Sequence, residues 1–270
     1  MAQITFKERV KNTAISEAKN YKKNYVDYEY LVCSSAFREK DYYIIDAKED
    51  NYQHLIGVNA LIKPQEFFEK CYNGTLQETD FNFIKSGQNE RSVKGSVRRK
   101  ITVLSNMMNL FYNHIKVEET FIKNQIRCSF ATADNKCTLG FIDATKSRPK
   151  SLIKGNELDT NKMRDVSLLL RKEIGKEKFD EIIIGNSEIL MNYYEKIKAH
   201  IDNSLINLNS KNEIIEYDNI NCKSIELVKE DNRGVNIKPK EIEGQPPEVA
   251  YGIINKEVVE EVENTITKIT

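Results

Sequence analysis

Histidine is scarce in this chain. Only His54, His114 and His200 occur, none at ligand spacing from another, so a zinc site has no support. The five cysteines (Cys33, Cys71, Cys128, Cys137 and Cys222) are odd in number and include no CxxC pair. Signal peptide and long apolar run are both missing. Together these absences predict a cytoplasmic protein of a reducing compartment with no membrane partner. The GxxxxGK[ST] order is absent too, so Lys154-Gly155 does not open a phosphate loop and the nucleotide-hydrolysis reading fails. No metal and no cofactor is expected.

Charge, by contrast, is plentiful, with 41 basic and 41 acidic residues among 270. It is unevenly spread. From Asn209 onward eight Lys/Arg meet thirteen Asp/Glu, a net of −5, which leaves +5 for residues 1–208. A mildly basic body is compatible with an anionic ligand. Three of the five prolines also lie beyond residue 209, which places a boundary there. Residues 1–208 can bury a sizeable core; the acidic tail 209–270 is expected to be mobile or weakly docked, with a short helix near Lys256–Ile266.

The body is read around Ile126–Asp143 (IRCSFATADNKCTLGFID). Two β-forming runs, Ile126–Ala131 and Cys137–Ile142, flank Asp134-Asn135, residues that turn a chain by hydrogen-bonding their own backbone. A second pair, Val166–Lys172 and Phe179–Gly185, bends at Gly175. These four runs predict a four-stranded antiparallel meander in sequence order, flanked by helices, in an α+β fold. In the first strand Ile126, Cys128 and Phe130 alternate with Arg127, Ser129 and Ala131, so the face bearing Arg127 and Ser129 is the expected place for a site.

Helices are predicted over 3–24, Lys63–Leu76 (Pro64 first, Asn73-Gly74 last), Ile101–Tyr112, and from Ser187 to about Ile206. His200 falls on the apolar stripe of the last of these and reads as a packing histidine. Asn51–Val58 (NYQHLIGV) is read as leaving a strand, with His54 at a sheet edge. Imidazole suits proton transfer near neutrality, and a half-buried histidine that caps a strand is the competing reading. Two basic stretches stand out. Arg91–Lys100 carries Arg98, Arg99 and Lys100 at the head of a helix, where amides and side chains can bind phosphate or simply be solvated. Ala144–Leu158 carries Lys146, Arg148, Lys150 and Lys154 with Ser147 and Ser151, and is read as a basic linker between two strand pairs.

NYQHLIGV, FFEKCYNGTL, VRRKITVLSNMMNLF, IRCSFATADNKCTLGFI and RPKSLIKGNEL, in that order, resemble the fourth phage-linked group of the Barnase–EndoU–colicin–RelE-like nucleases of Gram-positive bacteria and their mobile elements. The resemblance covers about Glu29 to Ile206. It implies helices preceding an antiparallel sheet (the Barnase/RelE-like architecture) with a metal-independent RNase site on it. RNA can then be cut by its own 2′-OH, provided the protein moves two protons and stabilises the added charge. In that scheme His54 is the acid or base, Arg127 and Lys154 clamp phosphate, and Ser129 or Ser151 donates to a phosphoryl oxygen. Arg98, Arg99, Lys100, Lys146, Arg148 and Lys150 hold the flanking RNA backbone.

The sequence departs from other RNases of this architecture in showing no glutamate–histidine pair. Either a lysine or arginine supplies the second proton carrier, as in related toxins that use Lys, Arg and Tyr, or the site binds RNA without cutting it. The expected partner is RNA, with tRNA and mRNA both candidates, and an inhibitor or immunity protein if the chain is a toxin or phage-conflict effector. The alternative is a non-catalytic nucleic-acid or protein-binding module using the same basic groove.

Overall fold

The computed structural model describes residues 4–123 and 126–206, and the backbone of Ile225–Lys229 and Val235–Pro239. It divides into two compact units, Met1–Asn212 and Glu213–Thr270. The first begins with α1 (Phe6–Tyr21), whose N-terminus is capped by the Thr5 hydroxyl accepting from Glu8 N–H. Its buried Val10, Ala14, Ala18 and Tyr21 recur at helical spacing. A π-helical turn, Lys22–Val26, leads into β1 (Tyr28–Cys33), followed by β2 (Tyr43–Asp46), α2 (Tyr52–Ile56) and β3 (Asn59–Ala60). Then come α3 (Pro64–Tyr72), β4 (Phe81–Asn82) and α4 (Glu90–Met108). Strands β5 (Lys116–Glu119), β6 (Ile122–Lys123), β7 (Ile126–Arg127), β8 (Phe130–Ala133), β9 (Cys137–Ile142), β10 (Arg148–Lys154) and β11 (Arg164–Asp165) follow. The unit closes with β12 (Leu168–Glu173), β13 (Glu181–Ile184) and α5 (Ser187–Ile197). In the second unit β14 (Ile225–Lys229) pairs antiparallel with β15 (Val235–Pro239). The remaining expectations for the tail fall outside the described residues.

Helices and antiparallel sheets make up the first unit, but the predicted meander does not form. Its runs are divided between a four-stranded sheet, β13-β12-β1-β2, and a five-stranded one, β10-β9-β8-β5-β11. The first run breaks in two: Ile126–Arg127 pairs with Ile122–Lys123, and only Phe130–Ala133 enters the five-stranded sheet. The basic linker is itself a strand, β10, at the sheet edge. Local signals cannot report such long-range partners, since β1 pairs with residues 168–173 across most of the unit.

The sheets are joined at two places. Beyond β2, Asp46 N–H donates to Ser147 O at 2.9 Å and Ser147 N–H donates to Ile44 O at 2.6 Å. Between β11 and β12, Val166 N–H reaches Ile115 O in one sheet and Ser167 N–H reaches Cys33 O in the other, at 3.1 and 3.0 Å. A short stretch thus changes sheets and turns a corner. Tyr43 and Phe130 meet across the interface with ring centroids 4.5 Å apart, and Phe130 stacks on Phe141 at 4.7 Å. The same core takes in Val10, Ala14, Phe67, Phe68 and Leu104 from the helices. Each large side chain buried there contributes about 1.5–3 kcal/mol. The other face of the four-stranded sheet (Leu31, Cys33, Leu168, Leu170) is covered by Leu190 and Ile197 of α5.

Candidate functional site

Three elements converge where His54 lies, and each is placed by ordinary packing. The sequence expectation put His54 at a sheet edge; the structure puts it in α2 instead. Tyr52, Leu55 and Ile56 are buried, and the Tyr52 hydroxyl donates to Ala14 O at 2.7 Å. Successive helical residues turn by about 100°, so the apolar trio points His54 to the opposite, exposed side. Gly57 ends the helix in a left-handed conformation, φ +87°, which a residue with a side chain rarely adopts.

Gly57 has a second task. Lys100 of α4 runs directly against it: a Cβ at position 57 would lie 2.9 Å from Lys100 Cδ and 3.2 Å from Nζ. The Lys100 ammonium passes beneath that glycine and donates to the His54 carbonyl oxygen at 2.7 Å. No carboxylate pairs with it among the described residues. Burial, aided by the nearby Lys85 cation, pushes Lys100 down to about 7. Lys85, in the loop before α4, is lowered by burial as well. His54 is held below its ordinary value by partial burial first, then by Lys100 and Lys85, with Asp50 opposing. The third element is β10. Its Arg148 guanidinium reaches Asp50 at 2.6 Å, just before α2, and Arg148 Nε is buried without a hydrogen-bond partner.

The structure therefore brings His54, Lys100 and, through Asp50, Arg148 into one neighbourhood. The other expected site residues lie elsewhere. Arg127 is exposed on β7, and its carbonyl accepts from Lys150 Nζ at 3.1 Å. The Ser129 hydroxyl accepts from Asp143 N–H at 2.9 Å. Ser151 is buried beside Gly140. Arg127, Ser129, Lys150 and Ser151 thus gather where β7 and β8 meet β9 and β10. Lys154 sits at the far end of β10, roughly 20 Å along the strand from Arg148. Lys146 is bound to the buried Glu29, which also takes Lys172 Nζ at 3.3 Å.

The run Arg98-Arg99-Lys100 was expected at the head of a helix, with amides free for phosphate. It lies inside α4, which starts at Glu90, so those amides serve the helix. Its three side chains also diverge: Arg98 lies 5.1 Å from the Phe6 ring, Arg99 is exposed, and Lys100 turns inward. Lys100 belongs to the stripe Val93, Val97, Leu104 by its i+3 and i+4 spacing, the signal that separates it from its neighbours. Asp50 and Lys85 were not expected in the site and carry no local motif. His200, by contrast, meets the Tyr42 hydroxyl at 2.6 Å and packs against its ring.

Here an exposed histidine, a lysine pushed down to about 7 and an arginine paired with Asp50 come from three packed elements. Side chains of these kinds suit work on a phosphodiester, which points to the nucleases as a class. The chain belongs to the phage-Barnase-EndoU-ColicinE5/D-RelE like nuclease4 family, whose model matches residues 16–268. The match extends past the Glu29–Ile206 stretch in which the resemblance was read. No curated protein and no solved structure matches the chain. Among the described residues no helix is long and apolar enough to cross a membrane. None of their His, Cys, Asp and Glu side chains group in threes around a metal position.

Proposed function

We propose that this nuclease is a metal-independent endoribonuclease that cleaves RNA by attack of the 2′-OH on the adjacent phosphorus. The observation that carries this reading is the contact of the Lys100 ammonium with the His54 carbonyl under Gly57, with the Arg148–Asp50 pair just before the same helix. His54 moves a proton at the reacting oxygens. The Arg148 guanidinium has further N–H groups beyond the one given to Asp50 and offers them to a phosphoryl oxygen. Lys85 adds positive potential at the same place. Lys150 and Lys154, exposed on the edge strand of the five-stranded sheet, and Arg127, exposed on β7, hold flanking phosphates, as do Arg98 and Arg99 on α4. Ser129 lies on the same side and positions that stretch of backbone, while the buried Ser151 acts only by packing beneath it. In a toxin or phage-conflict effector this activity would be restrained by an inhibitor protein, and the substrate would be a cellular RNA such as tRNA or mRNA.

The test is incubation of the full chain with total RNA in EDTA, with analysis of the new ends. Fragments ending in 2′,3′-cyclic phosphate are expected. RNA that is bound in a salt-sensitive way yet stays intact would replace the enzyme by a binding module.

A further inference from the structure

RNA transesterification needs two proton movements, and His54 can carry only one of them. The 2′-OH must lose a proton and the departing 5′ oxygen must gain one. One side chain with a transferable proton is tied to the backbone of His54 itself. Lys100 leaves α4, slides under Gly57 and ends on the His54 carbonyl, so its ammonium is tied to the backbone of the histidine it would work with. An ammonium has three N–H donors, and this contact uses one.

We propose that Lys100 is the general acid of the reaction and His54 the general base. The inference rests on the ribonuclease reading given above. The neutral imidazole takes the 2′-OH proton while O2′ bonds to phosphorus. The bond from phosphorus to O5′ breaks, and O5′ leaves with a proton from the Lys100 ammonium. The products are a 2′,3′-cyclic phosphate and a 5′-hydroxyl. Imidazolium and amine return to their starting forms by exchange with water.

The electrostatics of the site assign the roles in this order. Around Lys100 lie Lys85 and the His54 carbonyl; around His54 lie Lys100, Lys85 and, with opposite sign, Asp50. His54, lowered, is neutral at pH 7 and ready to accept. Lys100, at about 7, is still partly an ammonium there and gives its proton far more readily than an ordinary lysine. Cleavage therefore rises with pH as His54 loses its proton and falls as Lys100 loses its own.

Lys100 also caps the end of α2, and a purely structural lysine must be separable from an acid. The experiment compares wild type, Lys100→Met, Lys100→Arg and His54→Gln on an oligoribonucleotide with one scissile linkage, prepared with a 5′ oxygen or a 5′ sulfur. A thiolate leaves without a proton. Lys100→Met should be slower by roughly a hundred- to ten-thousand-fold on the oxygen substrate, yet within about tenfold of wild type on the sulfur one. His54→Gln should be slow on both. Lys100→Arg keeps the charge and a donor to His54 O but holds its proton too tightly, so it should follow Lys100→Met even if the methionine variant folds poorly. Equal losses of Lys100→Met on both substrates, or wild-type rates for Lys100→Arg on the oxygen substrate, overturn the assignment while leaving the ribonuclease reading intact. A wild-type protein that cuts neither substrate removes that reading, and the role of Lys100 with it.

Discussion

Glu29 and Lys100 are both charged groups packed against the protein, and they are treated in opposite ways. Glu29, in β1, is 6% exposed and is met by two cations, Lys146 and Lys172. Lys100, under Gly57, meets a carbonyl oxygen and a neighbouring lysine. Around the carboxylate, two ammonium groups replace the lost hydration. The ammonium receives one neutral acceptor and a repulsive neighbour, so its charge becomes easy to give up. Pairing makes a fixed tie between elements; without a counter-ion among the described residues, the proton of Lys100 is held more loosely. A surface count of cations would rank Lys146 and Lys100 alike, and their surroundings separate them.

That contrast breaks first at His54. His54→Gln retains size and some hydrogen bonding but cannot carry a proton near neutral pH. Cleavage is expected to fall roughly a hundred- to ten-thousand-fold with RNA affinity little changed. Single-turnover rates and binding isotherms measured on the same preparation decide it. Lowered stability with preserved turnover per folded molecule would make His54 a packing residue.

Glu29→Gln tests the other side. It leaves the Lys172 ammonium, 11% exposed in its side chain, without its carboxylate. The loss should be about 3 kcal/mol of stability, the lower end for a buried pair because Lys146 is partly solvated. Denaturant unfolding reads the loss, and cleavage per folded molecule should not change. A fall in that activity with unaltered stability would move the chemistry to the Glu29 side of the molecule.

The smallest effect concerns pH. Lys100 titrates lower in the folded protein than in the unfolded chain, so below about pH 7 its protonated form costs stability at a constant level. Between there and the ordinary lysine range the unfolded chain binds more protons, and stability rises with pH. The Tm of wild type relative to Lys100→Met should therefore rise from pH 7 to 9, whichever of the two is the more stable at pH 7. A gap independent of pH would show that Lys100 titrates as an ordinary lysine.

Local signals in the sequence were legible wherever one residue sets one turn. Pro64 starts α3 and Gly74, at φ +73°, follows its end; Asp134 Oδ1 takes the amides of Lys136 and Cys137 in the hairpin bend; Gly175, at φ +94°, lies between β12 and β13. Two features of the site could not be read this way. Five residues are too few for helical periodicity to show, so α2 passed for the end of a strand and its Gly57 cap for a chain exit. Lys100 was grouped with Arg98 and Arg99 as one cationic run, because three adjacent letters look alike until a helix points them in three directions. The division of the expected meander between two sheets follows from pairings across the whole unit, such as Cys33 with Leu168, which no local pattern encodes.

That last pairing bears on how the protein is made. Strand β1 leaves the ribosome early, and β12, its neighbour in the finished sheet, emerges only after His54, Lys100 and Arg148 have all been synthesised. Throughout that interval one edge of β1 has no permanent partner, and the corner at Val166–Ser167 that ties one sheet to the other does not yet exist. Every part of the candidate site is thus translated before the frame that steadies it. For this nuclease, the order of synthesis places completion of the frame late, when every named residue of the site has already been translated.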